Sequence, residues 1–268
     1  MTYIQAIIIA IVEGITEFLP ISSTGHMALT ASFLGIEKDA FTKLFIENIQ
    51  FGTIISVIIL YWKRFIDFKK FSFYLKLFVA FLPAAFIGIL LKKHIDQVLE
   101  TPLFIAIVMF VGGILLLFVD NWFQKPTIKS DEGLTYKSSL IIGLFQVLSV
   151  LFPGLSRSAA TIVGGMQQKL TRQAAAEFSF FLAVPTLAGA FAKSLWDTMK
   201  ENPEILTKSN INLLILGNLI GFVVAMFAIK FFISFLTKHG FRIFGWYRIV
   251  VGLIIICLIV FGYNLSVV

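Results

Sequence analysis

Six apolar stretches constrain this chain more than any other feature. They run roughly over 45–62, 75–91, 103–122, 178–196, 211–236 and 244–263. A helix needs about 20 apolar residues to cross the hydrocarbon of a bilayer, and these stretches approach or reach that length. Several end in aromatic or basic side chains, as interfacial anchors do. Pro83 and Pro185 fall inside two of them and predict kinks. An all-α, polytopic membrane protein follows, built as a single integral membrane domain over 1–268. Composition agrees: 58% of the residues are hydrophobic and 14% charged, where a soluble domain has about 25% charged. So few charges could not cover a soluble surface, which excludes a soluble enzyme, a disordered chain and a nucleic-acid binder. The net charge of +7 is read instead as basic cytoplasmic loops. Cys257 is the single cysteine, so no intrachain disulfide and no cysteine metal site can form. The N-terminus is apolar but lacks a basic leader and soon meets Glu13 and Glu17, so it is read as mature protein.

Two further apolar regions, 1–34 and 138–166, are each interrupted. The first breaks at Pro20 and the run Ser22-Ser23-Thr24-Gly25-His26, the second at Pro153-Gly154 and Ser156-Arg157-Ser158. Each is expected to form two short helices around a polar turn, a re-entrant hairpin that cannot face lipid and must be buried in protein or line a cavity. Pro20 and Pro153 lie 133 residues apart, and at that offset Glu13 meets Gln146 and Ser23 meets Ser156. Each hairpin precedes three spans. The chain therefore reads as an inverted-topology repeat, 1–122 and 138–268, with the site expected where the two hairpins meet. Lys63, Arg64, Lys69, Lys70 and Lys76 after the first span mark a cytoplasmic loop, which places the first hairpin outside.

The polar residues at membrane depth carry the chemistry. Glu13 and Glu17 share one helix face, and two carboxylates in hydrocarbon need something to offset their cost. A divalent cation, Mg²⁺ or Ca²⁺, would do so, as would a shared proton; solvation at an exposed helix end is the plainer reading. Ser22, Ser23, Thr24 and His26 stand beside that face. They can cap a helix, bind an anion at its start, or attack phosphorus and relay a proton. Arg157 needs a partner, either one of the glutamates or a phosphate that its guanidinium forks onto. Ser156, Ser158 and Thr161 could add hydroxyls, and Gln50 is expected to line the cavity. Glu47, Lys230 and Arg248 lie near span ends, within reach of water; His94 and His239 read as loop residues.

The runs from Glu13 to His26 and from Pro153 to Thr161, with Glu177-Phe178-Ser179-Phe180 and Val184-Pro185, resemble the signatures of the bacterial undecaprenyl-diphosphate phosphatase, or bacitracin-resistance, family. Ala159 stands where glycine is common in that family. The resemblance covers essentially the whole chain. It implies six transmembrane helices with two inverted re-entrant hairpins, a divalent metal, a site open to the outer face of the bacterial plasma membrane, and bacitracin tolerance. It implies hydrolysis of undecaprenyl diphosphate to the monophosphate and phosphate, recycling the lipid carrier of peptidoglycan synthesis. On that basis Glu13 and Glu17 are expected to hold the metal, and Ser22, Thr24, Gln50, Ser156, Arg157, Ser158 and Thr161 the phosphate. Ser23 is the first choice of nucleophile with His26 as base or acid; direct attack by His26 or by water stays open. A flippase of the lipid monophosphate is the alternative function. The expected partners are the polyprenyl diphosphate and membrane lipid, with a homodimer as one option and no nucleic acid.

Overall fold

The computed structural model describes residues 1–67, 70–91, 101–263 and 265, so Lys69 and His94 lie outside the described residues. Within them the chain is helical, with no strand beyond an isolated Ile128–Leu170 bridge. The helices are α1 (Tyr3–Thr16), α2 (Ser23–Phe33), α3 (Ala40–Leu60), α4 (Trp62–Ile66), α5 (Phe71–Leu90), α6 (Pro102–Trp122), α7 (Tyr136–Leu151), α8 (Arg157–Gln167), α9 (Arg172–Glu201), α10 (Lys208–His239) and α11 (Arg242–Val260). Six of these, α3, α5, α6, α9, α10 and α11, are long and apolar enough to cross a membrane, and they match the six expected spans. Helices α9 and α10 reach 30 and 32 residues, well past their apolar stretches. Their ends are charged, so hydropathy marked only the part suited to hydrocarbon. Threonine caps start several helices: Thr135, Thr171 and Thr207 accept from the third backbone N–H beyond them.

The two interrupted regions do form helix–turn–helix units. α1 and α7 have 14 and 16 residues, and α2 and α8 have 11 each. Ser22 caps α2 and Ser156 caps α8, and both hold positive φ, 72° and 73°. A non-glycine residue rarely adopts that backbone, so its recurrence at matching places is evidence of a shared local design. It also corrects the alignment of the two regions. The first arms start at Tyr3 and Tyr136, 133 apart, but the capping serines are 134 apart. Ser22, and not Ser23, is the counterpart of Ser156.

Small residues let the helices approach. A Cβ on Gly113 would lie 2.8 Å from the Gly245 carbonyl oxygen, so α6 and α11 pack backbone to backbone. α1 packs on α10 and α7 on α5, so each first arm rests on a span from the other half of the chain. The loop after α4 and the loop before α7 are tied together. Arg64 pairs with Asp131 and Glu132, and Lys70 Nζ lies 2.7 Å from Glu132. Lys76, expected in the loop, is instead buried in α5, donating to the Asp131 and Glu132 carbonyls at 2.9 and 3.1 Å.

Candidate active site

The site forms where the two polar turns face each other. Glu17 ends α1, one turn beyond Glu13, and Arg157 opens α8. Arg157 Nη2 donates to Glu17 Oε1 at 2.9 Å, and Ser23 Oγ donates to Glu17 Oε2 at 2.7 Å. Arg157 Nη1 also donates to the Ser179 carbonyl at 3.3 Å, and its guanidinium lies over the Phe18 ring. One carboxylate thus holds a hydroxyl and a guanidinium that are 134 residues apart in the chain. Of the two partners left open for Arg157, the described geometry contains the carboxylate.

Two of the other hydroxyls join the two turns. Ser158 Oγ donates to the Phe18 carbonyl at 2.6 Å, and Ser156 Oγ to that of Leu19 at 3.5 Å. Thr161 Oγ1 lies 2.6 Å from Ser179 Oγ and bonds back to the Arg157 carbonyl at 2.9 Å. Ser22 caps α2 through the Gly25 N–H, and Thr24 is half-buried beside it. His26 sits between Ser22 and a residue absent from the sequence reading. Its Nδ1 is 2.7 Å from the Ser22 carbonyl, which can only accept, so Nδ1 carries a proton. Its Nε2 is 2.7 Å from the Tyr247 hydroxyl, and the two rings stack. No hydrogen bond joins His26 to Ser23 in this geometry. Gln50 is on the wall of a cavity of about 580 Å³ with Val150 and Ala190, and none of Glu13, Glu17, Ser23, His26 or Arg157 lines that cavity.

Arg248 does not snorkel. It is fully buried and donates to five carbonyls. These belong to Leu155 at 2.7 Å, Gly154 at 2.9 Å, Pro20 at 3.2 Å, Met109 at 3.3 Å and Val108 at 3.5 Å. Pro20 is in one turn and Gly154 and Leu155 in the other, so Arg248 clamps the two turns together. Counting from the start of an apolar stretch put it near an interface. Gly112 makes room for its guanidinium, since a Cβ there would run into Arg248 Nη2.

The sequence pattern described as bacitracin resistance protein BacA matches residues 6–254, a range that holds every residue of this site from Glu13 to Arg248. The chain belongs to the BacA family. It is 54% identical over 266 residues, 99% of each chain, to the undecaprenyl-diphosphatase of Flavobacterium psychrophilum. It is also 49% identical over 270 residues, all of both chains, to that of Bdellovibrio bacteriovorus. The undecaprenyl-diphosphatase of Aquifex aeolicus shares 42% over 256 residues, 95% of this chain and 97% of its own. Both carboxylate oxygens of Glu13 are buried with no hydrogen-bond donor among the described residues, and the Glu17 carboxylate is their charged neighbour. Hard oxygen donors of this kind suit Mg²⁺ or Ca²⁺. Glu17 supplies a second carboxylate one turn away, although Ser23 and Arg157 already engage it. No cluster of three or more His, Cys, Asp or Glu occurs among the described residues, so Glu13 and Glu17 are the acids that would hold a cation here.

Proposed function

We propose that the protein hydrolyses undecaprenyl diphosphate to undecaprenyl phosphate and inorganic phosphate. The observation that carries this reading is the Ser23–Glu17–Arg157 relay, inside a bundle of apolar helices and in a family whose relatives bear that activity's name. A nucleophile bonded to a base, with the base oriented by a third group, is the arrangement that activates serine. Ser23 Oγ attacks the terminal phosphorus and passes its proton to Glu17 as undecaprenyl phosphate leaves. Water then cleaves the phosphoserine, releases phosphate and returns the proton. Arg157 steadies Glu17 before the substrate arrives and meets the phosphoryl oxygens as charge spreads over them. The Ser23–Glu17 bond favours Glu17 as the base over His26. His26, held by Ser22 and Tyr247, keeps the start of α2 in place and can bond a phosphoryl oxygen. Ser22, Thr24, Ser156, Ser158 and Thr161 shape the two turns and direct their N–H groups to the phosphate. A divalent cation bound by Glu13 and Glu17 would neutralise phosphate charge.

The two helix–turn–helix units are taken as re-entrant hairpins of an inverted repeat, 1–122 and 138–268, within one membrane domain. The site opens to the outer face of the bacterial plasma membrane, and tolerance of bacitracin follows from consuming the diphosphate. The relatives' names support hydrolysis and give no support to lipid flipping. The homodimer option has no support, and all the residues of the proposed site come from one chain. The test is phosphate release from undecaprenyl diphosphate in detergent. The wild-type protein should release phosphate, with loss in EDTA, and Ser23→Ala should fall about a thousandfold or more. A silent wild-type protein overturns the activity, and an active Ser23→Ala overturns the nucleophile.

A further inference from the structure

Gln146 is fully buried on α7, and its amide nitrogen has no hydrogen-bond partner among the described residues. The amide oxygen accepts from Thr186 Oγ1 at 3.4 Å, while that hydroxyl lies 2.8 Å from the Leu182 carbonyl. Turning the amide over would let one N–H donate to Thr186, and the other N–H would still be free. Either way a buried donor is left over, which native proteins rarely tolerate without a ligand or an ordered water.

Val150 and Ala190 line the cavity of about 580 Å³ that also takes in Lys43, Glu47, Gln50, Lys193, Asp197 and Glu201, with Lys193 Nζ 2.8 Å from Asp197; Gln146 lies behind that lining. Gln146 and Thr186 each precede those two residues by four, one turn deeper on the same faces of α7 and α9. Ser179, which binds Arg157 and Thr161, precedes Thr186 by seven, two turns further along that face. One face of α9 thus runs from the cavity, past the Gln146 amide, to the Arg157–Glu17 centre. Glu13 and Gln146 occupy matching places in the first arms of the two hairpins, and both are fully buried with unpartnered polar atoms. The acid offers acceptors, suited to a cation. The amide offers a donor, suited to an anionic oxygen.

We infer that Gln146 is a phosphate-binding residue, donating an amide N–H to a phosphoryl oxygen between the cavity and the Arg157 centre. This rests on the phosphatase reading. The phosphoryl oxygen belongs either to the bound diphosphate or to the orthophosphate leaving through the cavity.

Kinetics in detergent separate the cases. Gln146→Met keeps length and removes the donor; Gln146→Glu keeps shape and brings an acceptor. Gln146 makes no hydrogen bond to Ser23 or Glu17 in this geometry. If the donor meets the substrate, Gln146→Met should raise KM for the polyprenyl diphosphate about tenfold with little change in kcat. If it meets the product, inhibition by added orthophosphate should weaken about tenfold at unchanged KM. Gln146→Glu should be worse than Gln146→Met in the same parameter, because its charge opposes the anion. Unchanged KM and unchanged phosphate inhibition in variants with wild-type unfolding temperature would overturn the inference. So would a loss of kcat alone, or equal effects of the two variants, since those mark a packing role. A wild-type protein that releases no phosphate overturns the phosphatase reading itself, and this inference with it.

Discussion

At the scale of single residues, the site depends on two arginines with opposite duties. Arg157 touches the reacting groups, and its fork joins the Glu17 carboxylate to the Ser179 carbonyl. A lysine could keep the charge but not both bonds. Arg157→Lys should therefore cost about a hundredfold or more in phosphate release with little change in unfolding temperature. Arg248 touches no reacting group in this geometry. Removing it would strip the Pro20, Gly154 and Leu155 carbonyls of a buried donor. An unsatisfied buried group costs about 1–3 kcal/mol, so Arg248→Met should lower stability by about 3 kcal/mol or more. Thermal unfolding should show that loss along with the loss of activity. Arg157 was legible in the sequence because it sits in a polar run inside an apolar region. Arg248 was not, since its five acceptors are backbone carbonyls, which leave no mark on sequence.

At the scale of elements, the two polar turns are set by their capping serines. Ser22 and Ser156 combine a side-chain cap with positive φ. Alanine would lose the cap and keep the strain, whereas glycine loses the cap and relieves the strain. Ser22→Ala should destabilise by about 1 kcal/mol and Ser22→Gly by less, read from unfolding midpoints in detergent. The reverse order would show that the strain is not held by the backbone. The breaks themselves were visible in sequence, as Pro20 and Pro153-Gly154 interrupt apolar runs. Which serine caps each turn was not, because the two turns differ by one residue in spacing from their first arms. The cap is chosen by φ and ψ, and a one-residue slip in a Ser-Ser pair is invisible to pattern matching.

At the scale of the whole molecule, the halves depend on each other. α1 rests on α10, α7 on α5, and the Arg157–Glu17 pair and Arg248 clamp join the two turns. Residues 1–122 expressed alone would leave α1 without its packing partner. Each half alone should be degraded or aggregate, while the two halves produced together should recover phosphatase activity. Stable, monodisperse separate halves would show that the cross-packing is dispensable.

The sequence by itself determined that the chain is a helical membrane protein, that six of its helices are long and apolar enough to span, and where the two helix–turn–helix units break. Those outcomes follow from local hydropathy and from proline and glycine, which act over a few residues. It also singled out Glu13, Glu17, Ser23, His26 and Arg157, since polar groups in apolar surroundings are costly and therefore conspicuous. Only the tertiary structure decided their pairings. It gave Ser23 to Glu17 instead of His26, gave His26 to Tyr247, sank Arg248 between two turns, and left the Gln146 amide with a donor to spare. The Ser23–Glu17 bond spans six residues and depends on how the turn between them folds; the others depend on groups far apart along the chain, and so on how helices pack against one another, which no local stretch of sequence records.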